Sequence, residues 1–344
     1  MLSGFVDSGF VNSNESTNLQ PPNSRVYDVG AIVVATGARE YRPREYLYGQ
    51  DPRVVTQREL EEMLANDNWR PEAGSQIVMI QCVGSRDEEH PYCSRVCCSQ
   101  AVKNALKIKE INPDAQIFIL YRDIRTYGFR EDYYRRAREA GVMFLRYEPE
   151  DKPKVSAIDE RLRVEVPAPV PGGKVVLEPD LLVLSAGIVP NDGNEELSRL
   201  LRVPLNQDGF FLEAHAKLRP LDFAADGIYL CGLAHSPKAI GEAIAQARGV
   251  GIKVAALLSK EEIEAAPIVA TVNPRLCAGC GLCVEVCPYD ARVINEETHV
   301  AEVIEVLCQG CGACVAACPN GASQQKGFEQ VQLLAMLDAA LVGG

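Results

Sequence analysis

CAGCGLCVEVCP at residues 277–288 and CQGCGACVAACP at residues 308–319 decide what the C-terminal part of this chain folds around. Each is a C-x2-C-x2-C-x3-C-P run: Cys277, Cys280, Cys283 and Cys287 before Pro288, then Cys308, Cys311, Cys314 and Cys318 before Pro319. That spacing, written twice, specifies two 4Fe–4S clusters, with the fourth cysteine of each run reaching across to the other cluster. One cluster is expected on Cys277, Cys280, Cys283 and Cys318. Its partner is expected on Cys308, Cys311, Cys314 and Cys287. Every position is offset by 31 residues, so the module reads as an internal duplication with pseudo-twofold symmetry. Gly279 and Gly310 repeat in the same way, as do Gly281 and Gly312, which suits tight loops whose N–H groups face cluster sulfurs. Structural zinc uses paired C-x2-C knuckles and not three cysteines at this spacing followed by C-P. Disulfides need an oxidising compartment, and the first residues do not form a basic-then-apolar leader.

A chain of 344 residues has room for two or three domains with a sizeable core. Hydrophobic content of 47% and a mean hydropathy of -0.07 belong to a water-soluble composition, and no apolar run reaches the ~18 residues of a membrane span. Thirteen cysteines outside a disulfide scaffold fit a reducing, cytoplasmic compartment. The formal charge is -12, from 47 acidic against 35 basic residues, which argues against nucleic acid as a partner. An acidic surface suits docking on a basic patch of a redox partner, and it serves solubility equally well.

Ahead of the cysteine module, residues 1–24 are polar and aperiodic and read as a loose arm. A strand is expected over 29–35, ending at Thr36-Gly37-Ala38. A short helix follows, with Thr56 as N-cap and Glu59 at the capping-box position. Strands at 76–80, 116–121 and 142–147 alternate with helices at 99–111 and 131–140, the pattern of a parallel α/β unit. An antiparallel hairpin is expected over 161–180, turning at Pro171-Gly172-Gly173. Strands at 181–184 and 227–230 and a long Ala/Gly-rich helix at 240–258 complete the body. Residues 259–274 join it to the cysteine module, and an apolar-faced helix is expected at 328–341.

Cys82, Cys93, Cys97 and Cys98 form a second group, C-x10-C-x3-C-C. Cys82 falls at the C-terminal end of a strand, where open parallel sheets place their ligand crevice. Cys97 and Cys98 stand just ahead of a helix whose free N–H groups favour anionic thiolates. A dinucleotide fingerprint would occupy this turn, but the residues are Cys-Val-Gly-Ser-Arg. A third cluster, a zinc site, a thiol redox pair and inert buried thiols all remain compatible with these residues. Arg86 and Arg95 either offset cluster charge or form ordinary surface ion pairs. Cys231 reads as a core residue, and His235 has no carboxylate beside it in sequence. No G-x-S-x-G, H-E-x-x-H or P-loop motif occurs.

Val33 to Ala38 and the stretch 227–256 are similar to the two halves of the flavin domain of thioredoxin-reductase-like flavoproteins. The α/β unit between them sits where those proteins insert a nicotinamide domain. With Cys82-Val83-Gly84-Ser85-Arg86, Tyr92-Cys93-Ser94-Arg95-Val96-Cys97-Cys98 and the C-terminal module added, the chain resembles the A subunit of heterodisulfide reductase over roughly residues 25–325. The resemblance implies an α/β thioredoxin-reductase-like core of the FAD/NAD(P) Rossmann type, with an incomplete flavin domain and a C-terminal α+β ferredoxin-like domain. It divides the chain at 1–24 (arm), 25–70 (remnant of the first half of the FAD domain), 71–180 (nicotinamide-domain-like unit), 181–265 (second half of the FAD domain), 266–325 (two-cluster ferredoxin domain) and 326–344 (terminal helix).

By the same resemblance, Cys82, Cys93, Cys97 and Cys98 hold a third 4Fe–4S cluster. Thr36, Gly37, Gly232, Lys238, Ala239, Ile240 and Gln246 contact an FAD that splits electron pairs and is shared with another polypeptide. Implied partners are the other subunits of a heterodisulfide-reductase-like complex, a polypeptide completing the flavin domain, and a ferredoxin or a hydrogenase or dehydrogenase donor. The glycine fingerprint that opens the family's flavin domain does not occur in residues 1–30. Two alternatives are a non-catalytic electron-transfer subunit with a vestigial flavin site and a flavin-dependent NAD(P)H or disulfide oxidoreductase with ferredoxin attached.

Overall fold

The computed structural model describes residues 27–159, 161–167, 173–260 and 268–342; the expected N-terminal arm and the Pro171-Gly172 turn lie outside them. β1 (Ile32–Val34) is followed by β2 (Arg39–Glu40), β3 (Val54–Thr56) and α1 (Gln57–Ala65). The capping box forms as its sequence predicts: Thr56 Oγ1 accepts from Glu59 N at 3.3 Å, and Thr56 N donates to Glu59 Oε2 at 2.7 Å. β4 (Gln76–Val83), α2 (Cys97–Ile111), β5 (Gln116–Tyr121), α3 (Glu131–Glu139) and β6 (Met143–Arg146) give the alternating unit. β7 (Lys154–Ile158), β8 (Arg161–Pro167) and β9 (Lys174–Leu177) form an antiparallel sheet, so the expected hairpin gains a third strand. β10 (Leu181–Ala186) then returns to the core.

The central sheet is five-stranded and wholly parallel, in the order β3-β10-β4-β5-β6. Both faces are covered, which is why β4 and β10 are continuous apolar runs. Ile77 and Met79 point with Ile117, Ile119 and Val183 toward Leu60 of α1 and Ala101, Val102 and Ile108 of α2. Val78 and Ile80 point the other way, onto Leu162 and Val164 of β8 and Leu177 of β9. Each aliphatic side chain buried this way contributes roughly 1.5–3 kcal/mol.

β11 (Ile188–Val189) pairs with β2, and α4 (Asn194–Leu201) leads on to β12 (Ile228–Leu230) and α5 (Ile240–Leu258). β12 pairs with β1 in a sheet of two strands. Its surroundings are only partly covered. Val33 of β1 is exposed, and so are Ile240, Ile244, Ile252 and Leu258 of α5.

The C-terminal module has its own small core. β13 (Ala270–Val272) pairs with β16 (Ser323–Gln325), and β14 (Arg292–Ile294) pairs with β15 (Ala301–Val303), all antiparallel. α6 (Leu282–Glu285) and α7 (Ala313–Ala316) lie between them, and α8 (Gln330–Val342) ends the described chain. The 31-residue offset maps β13 onto β15, α6 onto α7 and β14 onto β16, residue for residue. Among the described residues no helix is long and apolar enough to cross a membrane.

Candidate redox site

The crossed cysteine sets surround two matching cavities. One is lined by Cys287, Cys308, Cys311 and Cys314. The other is lined by Cys277, Cys280, Cys283 and Cys318. Among the described residues no three His, Cys, Asp or Glu side chains converge tightly enough to hold a single ion. Four thiolates around one cavity are a ligand set that a 4Fe–4S cubane can use. Backbone donors are aimed at the sulfurs in symmetric fashion. Ala270 N lies 3.3 Å from Cys308 Sγ, and its counterpart Ala301 N lies 3.4 Å from Cys277 Sγ. Burial pushes the Cys318 thiol up, but N–H groups of Ser323, Asn320 and Ala322 outweigh it and leave it below its ordinary value. Gly279 and Gly310 are required by close approach. A Cβ there would sit 2.3 Å from His299 O or 2.5 Å from Ile268 O, in a left-handed backbone at φ +64 and +63.

The second cysteine group is built differently. β4 carries a bulge, because Leu184 of β10 faces Ile80 while Ala186 faces Val83. The extra residue leaves Cys82 in the left-handed region at φ 62. Arg86 and Arg95 adopt φ 60 and 62, so three non-glycine residues around one site hold a sparsely populated conformation. α2 begins two residues earlier than its apolar periodicity predicts, which puts Cys97 and Cys98 in its first turn. Free N–H groups of that turn favour negative charge.

The thiols of Cys97, Cys98 and Cys82 lie close enough to shift one another. Cys97 is pushed well up by the hydrogen bond it shares with Cys98, then by burial and by Cys98, Cys82 and Cys93. The same Cys97 contact draws Cys98 down to about 7 against burial, with help from Arg125 and Arg86. Burial and Cys98 raise Cys82, and Arg86 and Arg122 oppose them. Arg95 N donates to Cys93 Sγ at 3.3 Å. Arg122, which lies near Cys82, keeps its Nε buried with no partner among the described residues, a donor that an anionic group there would satisfy.

The third place of interest is the turn between β12 and α5. Thr36 Oγ1 is buried without a partner among the described residues, beside Gly37, whose φ is 75. Gly232 N donates to Gln246 Oε1 at 2.9 Å, and Gln246 Nε2 contacts His235 Nδ1 at 2.9 Å. His235 Nε2 meets Glu213 Oε2 at 2.9 Å, a carboxylate partner from far along the chain. Lys238 Nζ donates to Gly232 O at 2.5 Å and to Ser236 O at 2.7 Å. Burial, then Arg95, brings Lys238 down to about 8. Ala239 N donates to Glu242 Oε2 at 2.9 Å, and the Ile240 side chain is exposed.

One side chain joins this turn to the four-cysteine group. Arg95 donates to Glu242 Oε1 and Tyr127 OH, both at 2.7 Å, and to Pro237 O at 3.3 Å. Sequence reading missed Glu213, Tyr127 and Glu242, since only tertiary packing brings them here. Glu242 alone carried a local signal, an acid in the first turn of a helix. The C-terminal module is tied to the body through Arg202, which ion-pairs with Asp290 and donates to Pro288 O at 3.4 Å. The cavity lined by Cys287 therefore belongs to the side facing the body.

Residues 276–322 match the family described as 4Fe-4S dicluster domain. Over 94% of its length the chain is 41% identical to the A subunit of the H(2):CoB-CoM heterodisulfide,ferredoxin reductase of Methanothermobacter thermautotrophicus, of which it covers 51%. It is 39% identical, over 94% of its length and 52% of the relative, to the iron-sulfur A subunit of the CoB--CoM heterodisulfide reductase of Methanocaldococcus jannaschii. The chain thus spans about half the length of the curated relatives it matches. Among solved structures, Lactococcus lactis thioredoxin reductase overlaps 66% of each chain, with 16% identity and a TM-score of 0.44.

Proposed function

We propose that the chain belongs with the heterodisulfide reductase A subunits it is similar to, and that it passes single electrons between FAD and three 4Fe–4S clusters in a heterodisulfide-reductase-like complex. The observation that carries this reading is the pair of cavities, each lined by three cysteines of one run and the fourth of the other. Cys277, Cys280, Cys283 and Cys318 hold one cluster, and Cys287, Cys308, Cys311 and Cys314 hold the next. Cys82, Cys93, Cys97 and Cys98 hold the third. When bound, the clusters supply one-electron chemistry and the flavin exchanges one or two electrons.

The chain's own residues supply thiolates, N–H donors to sulfur, nearby guanidinium charge and fixed spacing. Thr36, Gly37, Gly232, Lys238, Ala239, Ile240 and Gln246 form the flavin-facing turn, with the orphaned Thr36 hydroxyl as a free donor. Arg95 holds that turn against the Cys93–Cys98 segment, which shortens the electron path between them. The open β1–β12 sheet and the exposed Val33, Ile240, Ile244 and Ile252 support further polypeptide covering this face and completing the flavin domain. The energetic splitting of electron pairs, the donor and the acceptor belong to that larger assembly.

A second reading is an electron-transfer protein with a vestigial flavin site. It is favoured by Gly232 N, Ala239 N and the Gln246 amide already being hydrogen-bonded within the chain. Oxygen-free purification with whatever co-purifies, followed by low-temperature EPR and acid release of flavin, separates the two. Cluster signals with one flavin per chain support the first reading. Clusters without flavin support the second, and zinc in place of iron contradicts both.

A further inference from the structure

The duplication that makes the two C-terminal cavities alike fails at one buried position. Arg292 opens β14, and its counterpart 31 residues on is Ser323, which opens β16. They occupy the same place in the repeat: Arg292 pairs across the ladder with Val303, and Ser323 pairs with Val272. Arg292 is 2% exposed and is among the largest fully buried side chains of the chain. It lines the cavity of Cys287, Cys308, Cys311 and Cys314, whereas Ser323 lines the twin.

Only part of this guanidinium is satisfied. Nη2 donates to Ser323 Oγ at 2.6 Å, while Nε and Nη1 are buried with no partner among the described residues. Arginine keeps its charge on burial and presents its donors in a planar fork. A buried cation with orphaned donors is strongly destabilising unless an anion lies beside it. Burial pushes the Cys314 thiol up, and the charge of Arg292 works against that rise. The thiolates and sulfides of a cluster would provide both the missing acceptors and the missing negative charge.

We propose that Arg292 makes the two symmetry-related clusters inequivalent. It donates to the cluster of Cys287, Cys308, Cys311 and Cys314 and thereby sets it at the higher reduction potential. The proposal rests on the reading that both cavities hold 4Fe–4S clusters. Net charge and hydrogen bonds to sulfur are what tune such centres. Reduction adds one electron and no proton, so a fixed positive charge favours the reduced form. Within the module one electron leaves the twin cluster, which is oxidised, and reduces the Arg292 cluster; no bond forms or breaks. Since Arg202 holds Pro288 and Asp290, next to Cys287, the electron comes to rest on the side facing the α/β body.

EPR-monitored redox titration of the full chain tests this with R292Q and R292K. In the native chain the module should reduce in two separate steps. R292Q should move the upper step down toward the lower one, so that the spectrum of two interacting reduced clusters appears earlier in the titration. R292K, which keeps the charge but loses the fork, should give a smaller shift in the same direction, and it stands alone if R292Q loses iron. The Cys82 centre serves as an internal control whose step stays in place. An upper step that stays put in the variants, or a shift confined to the lower step, would overturn the proposal alone. Absence of 4Fe–4S signals from the module of the native chain would overturn the cluster reading and the proposal with it.

Discussion

The two cysteine regions reach their geometry by opposite routes. In the C-terminal module everything is local and repeated: glycines in left-handed turns, short antiparallel ladders and N–H donors related by a fixed offset. Around Cys82 the chain instead uses a strand bulge, strained non-glycine residues and guanidinium groups held from a distance by Asp123 and Glu242. A site coded by spacing folds around its group from its own segment. A site coded by tertiary contacts depends on the body being folded first.

That contrast can be broken by substitution. The largest effect is expected from Gly279→Ala or Gly310→Ala, because a Cβ would meet a backbone oxygen at 2.3 or 2.5 Å. Iron analysis should show loss of about eight irons per chain, with about four retained at the Cys82 centre. Retention of all iron would mean that these turns do not shape the cavities. Next comes Cys93→Ser, which should remove about four irons while leaving about eight. If the C-terminal clusters were lost as well, the two regions would not be independent.

Arg95→Gln should be milder, since the side chain is partly exposed. Loss of its three contacts should cost about 1–2 kcal/mol, read as faster amide exchange in residues 237–243 and around Tyr127 with iron unchanged. Unchanged exchange in both segments would remove the strut. The smallest effect is expected at a helix cap that takes no part in either centre. Thr56→Ala breaks the capping box and should lower unfolding stability by about 1 kcal/mol with no change in iron. An iron loss there would show that the body and the clusters fold as one unit.

Much of this was legible from residues, and the remainder has identifiable reasons. The crossed cysteine sets that line the two cavities match what the spacing predicts, and the parallel sheet follows from apolar runs such as those of β4 and β10. Thr56 and Glu59 announce their own cap. β7 escaped notice because Lys154–Ile158 is half-exposed and lacks a clear alternation. The early start of α2 escaped because Cys97 and Cys98 are poor helix signals, although both are buried there. The Glu213–His235 and Arg95–Glu242 contacts join residues 22 and 147 positions apart, which no local pattern encodes. Arg292 did carry a signal: comparing the repeats at their non-cysteine positions sets it against Ser323.

Iron and acid-labile sulfide, counted per chain on native protein isolated without oxygen, bear most directly on three thiolate-held centres. About twelve of each are expected. Eight or fewer, or zinc at the Cys82 group, would contradict the third centre and with it the electron path through Arg95.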